Sequence, residues 1–345
     1  MVSKKISARK KHQKIRFTEI QIQKYSGFPL KIKGNIPLVK NNNYCIVKKV
    51  SVGGDAPKEF ASIYRYGFCR KAFIRSWPQY IVKTGHKWYP AESITEYLLN
   101  RIAQVMGLNV AEPFLLFVGN QIRFGSRYFL KKNQELIHGA DIYSGYLGGD
   151  KTFIDEIEDT KRTREFLSLT FTYEAMFESF PDDIDTLFRE FIKMILFDAW
   201  VGVNDRHSYN WGIIRDITSN KKPAFAPLFD TSRGLFWNED ENKLLNLTSP
   251  SLRNSFIERY INNSKPKISW DGDDKMNHID LFRFIFDNEF EVKKEFIRGF
   301  FSKEKLDMVF HLLDTEFKPL FSEVRLNLIK LCLMKRNERI MEIIK

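Results

Sequence analysis

Residues 204–212 read NDRHSYNWG, directly after the apolar run DIDTLFREFIKMILFDAWV at 183–201. In that run Leu187, Phe191 and Ile195, flanked by Phe188, Ile192 and Ala199, make a wide apolar stripe at helical spacing. The pattern predicts a buried helix that ends in a polar loop, where Asp205 and Asn210 stand five apart with His207 between them. A carboxylate and an amide fixed at the end of a rigid element suit proton acceptance at one group and cation binding at the other. The loop reads as a catalytic and metal-binding segment, and the fold class is read from its flanks.

Downstream, WGIIRD and FAPLFD read as short strands bracketing the polar turn TSNKKP, and from 270 onward the pattern is helical. Upstream, IRFTEI, KIKGNIP and YCIVKKV read as strands, followed by the turn SVGGDAPK at 51–58. KAFIRSWPQYIVK at 71–83 reads as a hairpin whose second strand, YIVK, alternates and is β-branched. Residues 91–106 place Ile94, Leu98, Ile102 and Val105 on one helical face and stop at Gly107. VAEPFLLFVG, QIRFG and RYFLKK come next as strands, and KKNQELIHG then breaks the apolar pattern. The expected fold is α+β and two-lobed: a basic tail at 1–15, a β-rich lobe at 16–132 and a mostly helical lobe at 133–345.

Composition narrows the function classes. The 345 residues are 43% hydrophobic and include 31 Phe, enough for an aromatic-rich core. Cys45, Cys69 and Cys332 are too few and too scattered for a disulfide framework or a zinc site. No apolar run approaches the roughly 18–20 residues of a membrane span. The N-terminal MVSKKISARKKHQK lacks the apolar segment of a secretory signal. A net charge of +12 favours anionic partners such as nucleotides, nucleic acid or acidic surfaces.

Five residues then stand in a telling order. Lys83 ends the strand YIVK; Glu96 lies in the next helix, one turn after Glu92; Asp205 and Asn210 share the loop; Asp230 ends PLFD. Taken singly, each has an ordinary explanation: a surface lysine, solvated helix glutamates, a helix-end aspartate, a turn cap. Together they match the parts of phosphoryl transfer from ATP, in which a strand lysine fixed by a helix glutamate holds phosphates. In that scheme a loop aspartate orients the acceptor hydroxyl, while an asparagine and a second aspartate hold Mg²⁺. The Asp-x₄-Asn spacing equals that of the protein-kinase catalytic loop, although His207 comes after the aspartate here instead of preceding it.

The motifs YIVKTGHKWYPAESITEYLLNRIAQVMGLNV, NDRHSYNWGII and APLFDTS, spanning 81–232, resemble the HipA-like family of bacterial serine/threonine kinases. Length and spacing are closest to its compact members, which lack the toxin's extra N-terminal subdomain. The resemblance implies that Lys83 binds the ATP phosphates and pairs with Glu96, that Asp205 is the catalytic base with His207 orienting the loop, and that Asn210 and Asp230 hold Mg²⁺. SVGGDAPK aligns loosely with the family's S-x-x-G-A-Q-x-K phosphate loop, which makes Ser51 a candidate autophosphorylation site and Gly53 and Gly54 phosphate cradles. The negative Asp55 departs from that pattern. The adenine-reading hinge is expected in YFLKK at 128–132, through Leu130 and Lys131.

The function expected is an ATP- and Mg²⁺-dependent serine/threonine kinase with autophosphorylation on serine. Its partners would be a protein bearing a Ser/Thr acceptor and an antitoxin, with no membrane and with nucleic acid only indirectly. Two alternatives stand beside it: a kinase of a small molecule or lipid, and a nucleotide-binding, non-catalytic module of a toxin–antitoxin system. A bacterial cytoplasmic location is expected, with secretion as an effector open through a route that needs no classical signal.

Overall fold

The computed structural model describes residues 36–47, 58–85, 91–118, 121–219, 221–270, 273, 275–288 and 292–345. The basic tail, IRFTEI and the loop holding Ser51, Gly53 and Gly54 lie outside the described residues.

The first part of the chain builds a five-stranded antiparallel sheet from β1 (Tyr44–Ile46), β2 (Lys58–Ile63), β3 (Gln79–Thr84), β4 (Pro113–Val118) and β5 (Gln121–Arg127), in the order β1-β2-β3-β5-β4. Period-2 alternation divides β3. Tyr80 and Val82 join Ala61, Ile63, Leu116 and Val118 in a small apolar cluster on one face, while Lys83 points to the other. The register sets Lys58 of β2 directly opposite Lys83, so both cations share that face. Helix α1 (Glu92–Met106) buries Ile94, Leu98, Leu99 and Ile102 completely. It stops at Gly107, whose φ of +86° is left-handed backbone that glycine adopts without strain.

Three expectations are corrected here. KAFIRSWPQYIVK is not a hairpin: residues 71–78 are irregular with one tight turn at Ile74–Ser76, and β3 pairs with β2 instead. RYFLKK contributes only Arg127 to a strand. Of FAPLFD only Phe225 belongs to a strand, Ala224–Phe225; Asp230 lies beyond it in left-handed backbone at φ +53° rather than at a strand end.

Residues 128–133 belong to neither sheet and lead into β6 (Gln134–His138). β6 pairs with β7 (Gly212–Asp216), and β7 with β8 (Ala224–Phe225). Around this small sheet lie α2 (Gly139–Tyr146), α3 (Lys151–Asp159), α4 (Thr163–Phe166), α5 (Leu169–Ser179) and α6 (Ile184–Val201). Beyond it come α7 (Glu241–Leu245), α8 (Pro250–Asn263), α9 (His278–Asp287), α10 (Lys294–Phe300), α11 (Lys303–Leu312) and α12 (Glu323–Ile344). The stripe read on α6 is buried: Leu187, Phe188, Phe191, Ile192 and Ile195 lie in one core with Trp211, Ile213 and the α12 residues Ile329, Leu333 and Ile340. Polar side chains cap the helix starts, among them Ser168, Ser249, Asn277, Ser302 and Ser322. Among the described residues, no helix is long and apolar enough to cross a membrane.

The end of α6 positions the 204–210 loop. Gly202 stops the helix at φ +72°, and a Cβ there would stand 2.7 Å from Arg336 Nη2. Arg336 is fully buried and donates to Ala199 O at 2.7 Å, so a cation on α12 meets the negative end of the α6 dipole.

Candidate active site

Two carboxylates and two lysines meet where the five-stranded sheet faces the helical part. Lys83 Nζ donates to Glu96 Oε1 from β3 to α1, and to Asp230 Oδ1 at 2.5 Å. Lys58 Nζ donates to the other Asp230 oxygen at 2.7 Å. Burial opposes the charge on Lys83, but Glu96 and Asp230 outweigh it and raise its pKa, so the amine stays an ammonium. Burial likewise opposes ionisation of Asp230, yet Lys83 and Lys58 hold it well below the usual carboxylate range. Glu96 is pushed up to about 7 by burial and by the Asp230 charge, against the pull of Lys83.

The loop 204–210 is fixed from below by Arg206, which is buried. Its guanidinium commits all five N–H donors: a bidentate pair to Asp198 at 2.9 Å each, Asn210 O and Phe229 O at 3.2 Å, and Thr231 Oγ1 at 3.0 Å. One side chain thus joins α6, the loop and both neighbours of Asp230. From the side, α3 clamps the loop: Glu158 Oε1 accepts from Ser208 N at 2.8 Å and Ser208 Oγ at 2.7 Å, and Tyr209 OH donates to Asp155. Asn204 is held through its N–H to Arg233 O at 3.0 Å and by Ser264 Oγ at 2.8 Å.

Within this frame the structure brings together most of the residues expected from sequence. Asn210 Nδ2 donates to Asp205 O at 2.7 Å, which turns its Oδ1 into the group left to act as a ligand. Asp205 Oδ2 lies 3.1 Å from Arg233 Nη1, whose guanidinium also covers the Trp237 ring at 5.2 Å. The His207 ring accepts from Tyr209 N at 3.3 Å through Nδ1. Burial lowers its pKa against Asp205, Glu158 and Asp230, so it stays neutral as a loop-packing group. Leu130 is half-buried and Lys131 exposed, with Lys131 N–H donating to Gln134 Oε1 at 3.1 Å. The same segment packs on the segment leading to Asp230 through Phe129 and Phe229, 5.9 Å between ring centres.

Sequence reasoning missed Lys58, Arg206, Asp198, Glu158, Asp155 and Arg233. Lys58 carried one signal, as the last residue of the loosely aligned SVGGDAPK. The buried Arg206–Asp198 pair carried none, because its partners come from three separate segments.

The oxygen donors fit Mg²⁺. Among the described residues no cluster of three His, Cys, Asp or Glu forms a metal site. Mg²⁺, however, takes one or two protein oxygens and completes its shell with phosphates and water. Ionised Asp230, once released by Lys83 and Lys58, and the uncommitted Asn210 Oδ1 would supply those two.

A β-rich lobe whose lysine pairs with the next helix's glutamate, set over a helical lobe carrying an Asp-x₄-Asn loop, is a two-lobed protein-kinase-like fold. The sequence matches the HipA-like C-terminal domain family over residues 50–270, and the chain belongs to that family. No curated protein matches the sequence. Among solved structures the fold is similar to the proinflammatory kinase CtkA of Helicobacter pylori, with a TM-score of 0.69 at 20% identity over 89% of this chain and 96% of that one. It is also similar to a chain of the Shewanella oneidensis MR-1 toxin–antitoxin complex of HipA, HipB and operator DNA. There the TM-score is 0.52 at 15% identity over 85% of this chain and 66% of that one, so this chain spans about two thirds of that relative's length. At these identities the likeness is one of fold.

Proposed function

We propose that this protein is an ATP- and Mg²⁺-dependent serine/threonine protein kinase of the HipA-like type that also phosphorylates itself on serine. The observation that carries the reading is the convergence of Lys83 on both Glu96 and Asp230, since it joins the two lobes through the groups phosphoryl transfer needs. Residues 16–132 act as the nucleotide-binding lobe and 133–345 as the catalytic lobe.

The phosphates of ATP offer Lys83 and Lys58 a replacement for the Asp230 carboxylate, and Glu96 keeps Lys83 aimed as the exchange occurs. Asp230 and Asn210 are then free to hold Mg²⁺, which when bound neutralises charge on the phosphates. Asp205 accepts the proton of the acceptor hydroxyl, and Arg233 holds one carboxylate oxygen so that the other meets the hydroxyl. Leu130 and Lys131 border the adenine, while Ser51, Gly53 and Gly54 cover the phosphates. The structural relative solved with HipB and operator DNA supports an antitoxin-type partner for this chain.

The test is incubation with γ-labelled ATP and Mg²⁺ beside Asp205→Ala, followed by mass spectrometry. Label on wild-type protein or a protein substrate is expected, with loss of about a thousandfold or more in the variant and an unchanged melting temperature. Equal labelling by Asp205→Ala would overturn the assignment of the base. ATP consumption without labelled protein would favour a small-molecule or lipid acceptor.

A further inference from the structure

The connection between β2 and β3, residues 64–78 (YRYGFCRKAFIRSWP), takes no part in the site. It holds a defined shape. Trp77 is buried beneath it, donates from Nε1 to Arg70 O at 3.1 Å and packs on Tyr64 with ring centres 5.6 Å apart. Arg65 ties its base to Glu112 at 2.7 Å, Gly67 turns it at φ +83°, and Ser76 Oγ donates to Phe73 O at 2.7 Å. A loop fixed this way could have turned its apolar side chains inward. Instead Tyr66 is 90% exposed, Phe68 70%, Phe73 57% and Ile74 48%.

The charge carried by the segment itself is of one sign. Arg65, Arg70, Lys71 and Arg75 lie in the segment, which contains no Asp or Glu. Arg65 pairs with Glu112, which Arg127 shares, while Arg70, Lys71 and Arg75 are exposed and alternate in sequence with the apolar side chains. A second copy of the chain meeting the patch by symmetry would oppose like charges. A single-stranded nucleic acid wants a groove with open ring faces. Here Arg65 already covers one face of Phe68 at 4.7 Å, and Ile74 offers nothing to a base. Exposed apolar side chains interspersed with exposed cations match the boundary of an anionic bilayer, where rings and aliphatic groups enter the headgroup zone and cations meet lipid phosphates.

We propose that the 64–78 loop docks this protein peripherally on anionic lipid surfaces, through Tyr66, Phe68, Phe73 and Ile74 together with Arg70, Lys71 and Arg75. This mode needs no spanning helix, so the sequence expectation of no membrane partner, drawn from the absence of long apolar runs, does not see it.

The experiment is co-sedimentation of the full chain with vesicles of phosphatidylcholine alone and of phosphatidylcholine mixed with phosphatidylglycerol. It is repeated with Tyr66→Ser/Phe68→Ser/Phe73→Ser/Ile74→Ser, which leaves every charge in place. Wild type is expected on the mixed vesicles, weakening as salt rises, and about tenfold or more less of the tip variant at equal thermal stability. Absence of wild-type protein from the anionic vesicles, or equal sedimentation of the tip variant, overturns the proposal, the latter because the overall positive charge would then suffice. Retention of a single-stranded oligonucleotide that the tip variant loses, without vesicle binding, overturns it in favour of nucleic acid. Should the tip variant not fold, Phe73→Ser/Ile74→Ser alone gives the same comparison. Kinase activity is not the readout, so this result and that of the labelling experiment are independent.

Discussion

Replacing Arg206 by Met is expected to separate two roles of one side chain. The guanidinium is buried, and removing it leaves the Asp198 carboxylate uncompensated in the core. Breaking a buried pair from one side costs about 3–5 kcal/mol. With an unfolding entropy of about 2.1 cal/mol/K per residue over 345 residues, that loss lowers the melting temperature by about 4–7 °C. The pH dependence has a definite sign. Burial already raises the Asp198 pKa against the pull of Arg206, and without Arg206 burial acts alone. A carboxyl raised in the folded state contributes stability that is present below its unfolded pKa and is lost as pH rises through the folded value. Arg206→Met is therefore less destabilised, relative to wild type, at pH 5 than at pH 8, which denaturant unfolding at the two values measures. Adding Asp198→Leu removes the orphaned charge and brings stability back to within about 1–2 kcal/mol. It does not return the donors to Asn210 O, Phe229 O and Thr231, so turnover stays down by about a hundredfold. The reasoning fails if the single variant unfolds within about 1 kcal/mol of wild type, or if the double variant regains full turnover.

Three further outcomes are expected. Lys58→Met removes one of the two cations on Asp230, so the KM for ATP should rise about tenfold with a smaller change in kcat; an unchanged KM would remove Lys58 from the phosphate site. His278 is buried with Nε2 at 2.9 Å from Val203 O, and burial and then Arg336 lower its pKa well below the ordinary value. A depressed histidine contributes stability present above its unfolded pKa of about 6.5 and lost as pH falls, so His278→Gln should flatten the stability lost between pH 7 and pH 5, read from denaturant midpoints. Arg233→Ala should lower kcat by about tenfold or more while leaving the KM for ATP within about twofold, with partial recovery in added guanidinium; no recovery would assign the loss to packing on Trp237.

The sequence was legible where local periodicity or order along the chain carries the information. The α6 stripe, the α1 face of Ile94, Leu98 and Ile102, and the succession Lys83, Glu96, Asp205, Asn210, Asp230 are of this kind. What resisted reading depends on distant pairing. Arg206 sits inside the most informative stretch of the chain, yet a loop arginine looks solvated until Asp198, Phe229 and Thr231 are known to surround it. Lys58 closes a turn in sequence and becomes a partner of Asp230 only through the β2–β3 register. The clamp from α3 was hidden because Asp155 and Glu158 stand among the charged residues of a short helix and read as solvated until the 204–210 loop is packed against them. The strand reading of PLFD failed because apolar residues before an aspartate do not reveal its left-handed backbone.

The ties on α1 also bear on where the smallest working unit ends. The family match stops at residue 270, but the helix carrying Glu96 is anchored well beyond it. Tyr97 OH donates to Glu316, Arg101 meets both oxygens of Glu316 at 3.1–3.2 Å through Nε, and Lys305 Nζ donates to Val105 O at 2.9 Å. Further along, Arg325 pairs with Glu241 in the core and donates to Phe236 O, gripping the segment after Asp230. A protein trimmed to the matched segment would keep every residue assigned to chemistry and lose the struts that aim them. Recognition of the family from sequence and autonomy of the catalytic unit have different borders in this chain, and the last seventy or so residues belong to the second.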